Sequence, residues 1–502
     1  MNGQLIKIVV FSLMGLMPTR AQQARGPTDF VLPPLPAALV DHKAQLGGPL
    51  RPDQPIMAID LPSALQLAGA RDLDIAIARM HVVQAVAELE KAAVLWLPSI
   101  YYGPNWIRHD GQAQVVEGPV RTINKSSLFL GATAAAGTSV TGPIPAGGPA
   151  QVNGLSSILR ISDAIFEPLA ARQLLSARNA RVRVVTNDAL LQLTERYFDL
   201  QRAAGRLAIL REAATQADDL ARLTDSYARA GAGLEADHRR ALTERERRRR
   251  DVEMAVGELE VASTEVVRLC RLDPNVVVAP IEPPEVELHL IDEHCPVDDL
   301  IPTALRERPE LSEARALVEA TLVRLRQAKL RPLIPSLAMR YSGGGFGGGK
   351  GEFFGNFDSR SDADVNAFWE IQNLGFADRA IAKQRSAENR SATFELMKTQ
   401  DRVAAEVVRA DKERLAARRQ IEEARAALPE AKRSLELNFA NIRKGAGLPG
   451  ATRPIEVLQP IQALAQARTE YLEAVLAYNR AQFRLFRAVG RPPQLGPSSA
   501  SN

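Results

Sequence analysis

ISDAIFEPLAARQLLSARN, residues 161–179, and IQNLGFADRAIAKQRSAEN, residues 371–389, share the residues at Ile161, Phe166, Ala170, Ser176, Ala177 and Asn179, each matched 210 positions later. Two further anchors recur in the same order. Gly231-Ala232-Gly233-Leu234 returns as Gly445-Ala446-Gly447-Leu448, and a helical segment closing on Leu97-Pro98-Ser99 returns closing on Ile334-Pro335-Ser336. Ordered self-similarity on this scale describes a duplicated plan. The halves are residues 61–290 and 291–490.

Each half opens with a helix rich in Ala, Leu, Glu, Gln and Arg, Leu61 to Leu95 and Val297 to Leu330, which proline stops. Period-two stretches follow. Ile100, Tyr102, Pro104 and Trp106 alternate with Ser99, Tyr101, Gly103 and Asn105; Leu337, Met339 and Tyr341 alternate with Ser336, Ala338, Arg340 and Ser342; Val365, Ala367, Trp369 and Ile371 alternate with Asp364, Asn366, Phe368 and Glu370. Period two with one apolar face predicts strands, in regions spanning about 98–166 and 335–374. In the first half 128–140 and 155–165 both alternate around PIPAGGPAQVNG; the repeat favours 155–165 as the strand leading into the next helix, and 128–140 has no assignment.

Long helical hairpins come next, about 167–272 and 376–489. From Leu169 to Arg229 there is no proline and one glycine, Gly205; at about 1.5 Å per residue this run reaches roughly 90 Å, deeper than a globular core. The second run, Ala377 to Lys444, is interrupted only by Pro429, where a kink is expected. Each run ends at the Gly-Ala-Gly-Leu turn, where glycine accepts positive φ, and a return helix follows, Ala236 to Arg271 and Ile455 to Val489.

The remaining features bound the function. Residues 1–21 read as a secretory signal: Lys7, a ten-residue apolar run from Ile8 to Met17 too short to span a bilayer, and a cut after Ala21 or Ala24. No later run has the length of a transmembrane helix. Residues 22–60 form a proline-rich arm, and 491–502 a tail. Among 502 residues, 63 Lys and Arg against 59 Asp and Glu give a diffuse positive surplus, unlike the concentrated basic face of a nucleic-acid binder. Two cysteines, Cys270 and Cys295, stand either as a disulfide that an exported compartment permits or as free thiols. With His289 and His294 their spacing fits no zinc pattern, and no metal or cofactor is implied.

Two motifs are set aside on chemistry. Gly344 to Lys350 satisfies G-x-x-x-x-G-K, but Gly351 stands where a phosphate loop needs Ser or Thr, and no helix opens behind it. TERERRRRD, 243–251, places Glu244 with Arg248, Glu246 with Arg250 and Arg247 with Asp251 at i, i+4, as expected of a solvated helix face. Ser, His and acidic residues never gather as a catalytic set would. An enzyme is not expected.

The duplicated order of helix, strand hairpin, long helix, Gly-Leu turn and return helix, over residues 60–490, resembles the TolC-type outer-membrane efflux proteins. The resemblance implies a mainly α fold with a small transmembrane β part, in which a homotrimer builds a twelve-stranded β-barrel in outer-membrane lipid, continued by an α-helical barrel in the periplasm. It implies a passive exit duct served by a periplasmic adaptor and an inner-membrane pump. By the same resemblance, Gly231, Gly233, Leu234, Gly445, Gly447 and Leu448 are the adaptor-contact tips, and Asp237 and Glu456, with Gln459 where many relatives carry a second acid, form the periplasmic gate. Tyr102, Trp106, Tyr341 and Trp369 are the membrane-interface aromatics, and the glycines around Lys350 form a loop at the outer mouth. The alternative is a soluble exported coiled-coil scaffold or adaptor whose hairpins are small β domains.

Overall fold

The computed structural model describes residues 56–114, 120–136, 138–140, 156–231, 233–292, 295–348, 357–444 and 454–491. These belong to one structural unit, Leu39–Asn502. The signal sequence, most of the proline-rich arm, His294, the Lys350 loop, the second Gly-Ala-Gly-Leu turn and the tail lie outside the described residues.

The first half runs β1 (Ile56–Ile59), α1 (Leu61–Arg71), α2 (Leu73–Ala93), β2 (Pro98–Gln114), β3 (Val120–Ala136), β4 (Thr138–Val140), β5 (Ser156–Arg160), α3 (Ile161–Arg229), α4 (Glu235–Cys270) and β6 (Val277–Pro280). The second runs α5 (Val297–Glu307), α6 (Pro309–Leu330), β7 (Ser336–Gly347), β8 (Asp358–Phe368), α7 (Phe376–Lys444) and α8 (Leu458–Ala488), with single 3₁₀ turns before β7, α7 and α8. Both halves therefore follow one plan. Each long helix has 69 residues, about 100 Å of rise.

Several expected boundaries are corrected. The opening helix of each half is broken in two. Asp72 adopts extended backbone and its Oδ1 accepts from the N–H groups of Asp74 (2.8 Å) and Ile75 (3.1 Å), capping α2. At the matching break Arg308 precedes Pro309, whose ring disfavours the helical region for the residue before it. The expected strand 155–165 ends at Arg160 and α3 begins at Ile161, carrying Pro168 within its third turn with one backbone bond unmade. β8 stops at Phe368, so Trp369 and Ile371 follow the strand rather than belong to it. The arm ends in structure: β1 pairs in parallel with β6, Ile56 to Val277 through Ile59 to Pro280.

The unassigned stretch 128–140 has a physical explanation. β3 pairs with β2 over 17 residues, Pro98 against Ala136 through Gln114 against Val120, and its lower part pairs with β7 as far as Ala135 against Arg340. The chain then leaves and returns as β5, which continues along the same edge of β7, Ser157 against Met339 to Arg160 against Ser336. One strand position is thus filled by two pieces, with β4 folded back on β5. β8 pairs with the other edge of β7. The sheet is effectively four strands wide, with β2 and β8 outermost.

Packing ties the halves together. Leu193, Tyr197, Leu200 and Leu207 of α3 meet Leu259 and Val266 of α4, Ile59 and Val278 of the small sheet, and Leu472, Leu476 and Phe483 of α8 in one core. Tyr197 Oη donates to the Ile59 carbonyl (3.0 Å) and to Glu282, and Glu282 accepts from the Leu61 N–H at 2.7 Å. Burial, then the Glu282 charge, push the Tyr197 hydroxyl far above its ordinary range, so it stays a donor. Gly205 is explained here. A Cβ on it would stand 2.7 Å from Leu472 Cδ2, so glycine lets α3 and α8 approach.

Candidate functional site

The first hairpin turn is built from its capping chemistry. α3 ends at Arg229, Gly231 takes φ +66°, and the Gly233 N–H reaches back to the Tyr227 carbonyl at 3.0 Å, closing the loop over the last helical turn. Gly233 is needed for close approach: a Cβ there would lie 3.0 Å from Tyr227 Cβ. Leu234 is the extended residue before α4 and is 58% exposed, an apolar side chain presented at the tip. The second tip, Gly445, Gly447 and Leu448, lies outside the described residues.

A side chain that the sequence did not single out joins the two hairpins here. Tyr227 Oη donates to the Ile442 carbonyl at 2.9 Å, two residues before the end of α7. Beneath it Leu220, Ala221 and Ala241 of the first hairpin pack with Leu435, Ile442, Val457, Ile461 and Leu464 of the second. No repeat or motif marks Tyr227; its partner is a backbone atom 215 residues away.

The three acid-region candidates do not share one environment. Asp237, in the first turn of α4, is only 5% exposed, whereas Glu456, in the 3₁₀ turn Pro454–Val457, and Gln459 are exposed. Glu456 in that turn and Gln459 in the first turn of α8 are exposed three residues apart, while Val457 and Pro460 beside them are buried. Asp237 is held inside the protomer, where its charge also suits the positive end of α4.

The charge run 243–251 is solvated at Thr243, Glu246, Arg247, Arg249 and Arg250 and turns inward at Glu244 and Arg248. Glu244 is 6% exposed and accepts from Arg248 (2.7 Å) and Arg247 (3.3 Å), with Gln462 Nε2 of α8 at 3.4 Å. Of the three expected pairs, Glu244 with Arg248 forms; Arg250 pairs with adjacent Asp251 (2.8 Å), and Arg249 reaches Asp218 of α3 (3.0 Å).

Arginines of α8 form a seam along α3. Arg480 pairs with Asp199 (2.7 Å), Arg484 with Glu195 (2.8 Å) and Arg487 with Asp188 (2.5 Å), while Arg468 pairs with Glu212. Arg487 also reaches Glu310 (3.0 Å) and Glu406 (2.9 Å), the two partners of Arg308 at the break between α5 and α6. Burial alone would push the Glu310 carboxyl up; hydrogen bonds and charge from Arg308 outweigh it and hold the group below its ordinary range. Both cysteines are free. Cys270 is buried, its thiol donates to the Ala64 carbonyl at 3.8 Å, and burial pushes its pKa up to about 12. His289 Nδ1 lies 3.1 Å from Tyr478 Oη, a packing role.

On the sheet, register sorts the aromatics. Tyr102 faces Ala132, Trp106 faces Leu128, and Tyr341 faces both Ala134 and Ala363, which puts all three in one row of the pleat with Leu337, Met339, Val365 and Ala367. Trp106, Tyr341 and Trp369 are exposed. The opposite row, from Ser336 and Phe368 through Arg340 and Asp364 to Gly344 and Arg360, is largely polar in sequence. β7 and β8, with 12 and 11 residues, have the length of a tilted transmembrane strand. Among the described residues no helix is long and apolar enough to cross a membrane.

This geometry matches known structures. A membrane protein from Pseudomonas aeruginosa superposes with a TM-score of 0.70 at 18% identity, covering 86% of this chain and 92% of that one. The CmeC outer membrane channel of Campylobacter jejuni gives 0.67 at 15% identity, covering 86% and 85%. The open state of the MtrE outer membrane channel of Neisseria gonorrhoeae gives 0.67 at 15% identity, covering 86% and 89%. The fold is that of the TolC-type outer-membrane channels. Residues 300–491 match the model of the outer membrane efflux protein family. No curated protein sequence matches the chain.

Proposed function

We infer that the protein is the outer-membrane exit duct of a tripartite efflux system, conducting substrate passively from periplasm to exterior. The sheet carries the reading. Among the described residues β2 and β8 are each paired on one side only, and lipid satisfies no open edge. Further copies must complete the cylinder, and three copies of a four-stranded sheet give the twelve strands of the family. The strands lie in the outer membrane, and the helical hairpins extend into the periplasm as a tube. The chemistry required is that of a channel, with no catalytic step.

The tips meet a periplasmic adaptor. Exposed Leu234 on a turn fixed by Gly231 and Gly233 supports an apolar contact there, with Gly445, Gly447 and Leu448 as the second site. Glu456 and Gln459 line the gate at the tunnel entrance. Asp237, buried in the protomer, acts there by holding the first turn of α4. Adaptor and inner-membrane pump open the entrance by drawing the tips apart.

Reconstitution into planar bilayers tests the reading. Purified protein should be trimeric in mild detergent and insert as a channel. Glu456→Gln should lower its selectivity for cations, while Asp237→Asn should alter tip stability more than ion selectivity. Recovery of the natively expressed protein in the soluble periplasm, with no conductance on reconstitution, would overturn the duct.

A further inference from the structure

Residues unsuited to a helix interior fall at one height of the hairpins. Past Pro168 near its start, α3 has a single glycine, Gly205; α4 has a single glycine, Gly257, and α7 a single proline, Pro429. Side-chain contacts set their height. Arg206 pairs with Glu258 at 3.0 Å, which places Gly205 beside Gly257. Gly205 faces Leu472 of α8, and the guanidinium of Arg425, one turn before Pro429, lies 6.0 Å from the centre of the Tyr471 ring. Three of the four long helices are therefore weakened within about a turn of one level: glycine loosens the backbone, and Pro429 has no N–H for the Arg425 carbonyl.

Packing lapses at the same height. The sheet-side core ends at Leu207 of α3 and Leu472 of α8, and the tip-side core begins at Ala213 and Leu464. No residue of α3 between Leu207 and Ala213 is buried, nor any of α7 between Ile421 and Leu435. A cavity of about 660 Å³ lies in the interval, with Ala204, Ala208, Leu428 and Leu464 in its walls beside Pro283 and Pro284 of the segment joining the repeats. Few buried apolar contacts oppose a bend there, and the cavity leaves room for it.

The sheet side of that level is held. Asn479, 2% exposed, donates through Nδ2 to the Val286 carbonyl and accepts from the Leu288 N–H, both at 2.8 Å, while fully buried Gln482 accepts from the Ile291 N–H at 3.3 Å. Glu287 accepts from Arg418 at 2.6 Å and also pairs with Arg425. The segment joining the repeats thus ties α8 to α7 as far as the turn that Pro429 interrupts.

We propose that Gly205, Gly257 and Pro429 form a transverse joint at which the tip-side parts of both hairpins bend as stiff pieces, while the joining segment fixes the sheet side. The proposal rests on the duct reading above and locates its motion: the entrance widens by a bend at one level, not by untwisting along the hairpins. An untwisting slides the side chains of both cores past one another, whereas a bend moves the cores as blocks about a gap that already exists.

Two measurements on the full-length protein test it. In a Cys295→Ser background, with Cys270 buried, a spin label on Arg433→Cys, on the tip side, should give a broad distribution of distances between copies, and one on Lys398→Cys, on the sheet side, a narrow one. Pro429→Ala and Gly257→Ala, the latter with no atom within 4 Å of the new Cβ, should narrow the first and leave the second unchanged. In planar bilayers each should lower the frequency of spontaneous opening several-fold. Ala405→Gly, which softens α7 at an exposed position on the sheet side, should leave that frequency unchanged. Equal widths at 398 and 433 that neither substitution alters overturn the joint, and so does opening raised by Ala405→Gly as much as Pro429→Ala lowers it. A protein with no conductance overturns the duct reading instead, and the label widths then decide the joint by themselves.

Discussion

Tyr227 Oη donates to the backbone carbonyl of Ile442 at 2.9 Å, linking the tip of one hairpin to the end of the other through a bond that no side-chain charge assists. A neutral bond of this kind contributes about 1 kcal/mol net. A bond of this size can hold two tips together and still break at small cost.

Tyr227→Phe keeps the ring and removes only the donor. The loss of about 1 kcal/mol should raise the probability of spontaneous opening roughly fivefold in single-channel records. The melting temperature should hardly change, because the ring stays packed.

Gly205→Ala reverses a usual sign. Alanine in a helix interior ordinarily gains about 1 kcal/mol over glycine, but here its Cβ meets Leu472 Cδ2 at 2.7 Å. Overpacking should destabilise the protein by about 1–3 kcal/mol, read as a lower detergent-state melting temperature. Shortening the opposed side chain in Gly205→Ala/Leu472→Val should restore part of the loss.

The Arg308 network should respond to substitution and to pH. Arg308 is 2% exposed between Glu310 and Glu406, and Arg308→Met, which strands buried carboxylate, should cost about 3 kcal/mol. Glu310 is held below its ordinary pKa, so its contribution is present above the unfolded carboxylate value and lost as pH falls through the folded one. Glu310→Gln should accordingly be less stable than wild type at pH 7. The gap should close as the pH drops below about 4, the range where an ordinary glutamate protonates.

The thiols should differ in reactivity. With its pKa pushed up to about 12 and its sulfur buried, Cys270 should resist alkylation at neutral pH in the folded protein. Half-buried Cys295 should react first, and both should react after unfolding without reductant, which mass spectrometry of the alkylated peptides would show.

The duplication, the long hairpins and the apolar strand rows could be read directly, because each is a local pattern repeated along the chain. The glycine turn at 231–234 was readable for the same reason. Helix breaks at Asp72 and Arg308 carried signals too, an aspartate two residues before Asp74 and a proline at 309, yet strong helical composition on both sides masked them. What escaped was non-local. Nothing near Tyr227 announces Ile442, nothing in α8 announces that Arg480, Arg484 and Arg487 answer Asp199, Glu195 and Asp188, and a strand assembled from β3 and β5 breaks the assumption that one strand is one segment. Asp237 taught a related lesson: position beyond a turn fixes where an acid sits along a helix, while the neighbouring hairpin decides whether water reaches it.

The division of one strand position between β3 and β5 has a practical corollary. Each piece keeps its own hydrogen-bonded register against β7, so the peptide linkage between Val140 and Ser156 is not what aligns them. Two polypeptides divided there, produced in the same cell, should find each other on the common template and restore the sheet. The chain offers a natural opening for guest sequences at that point.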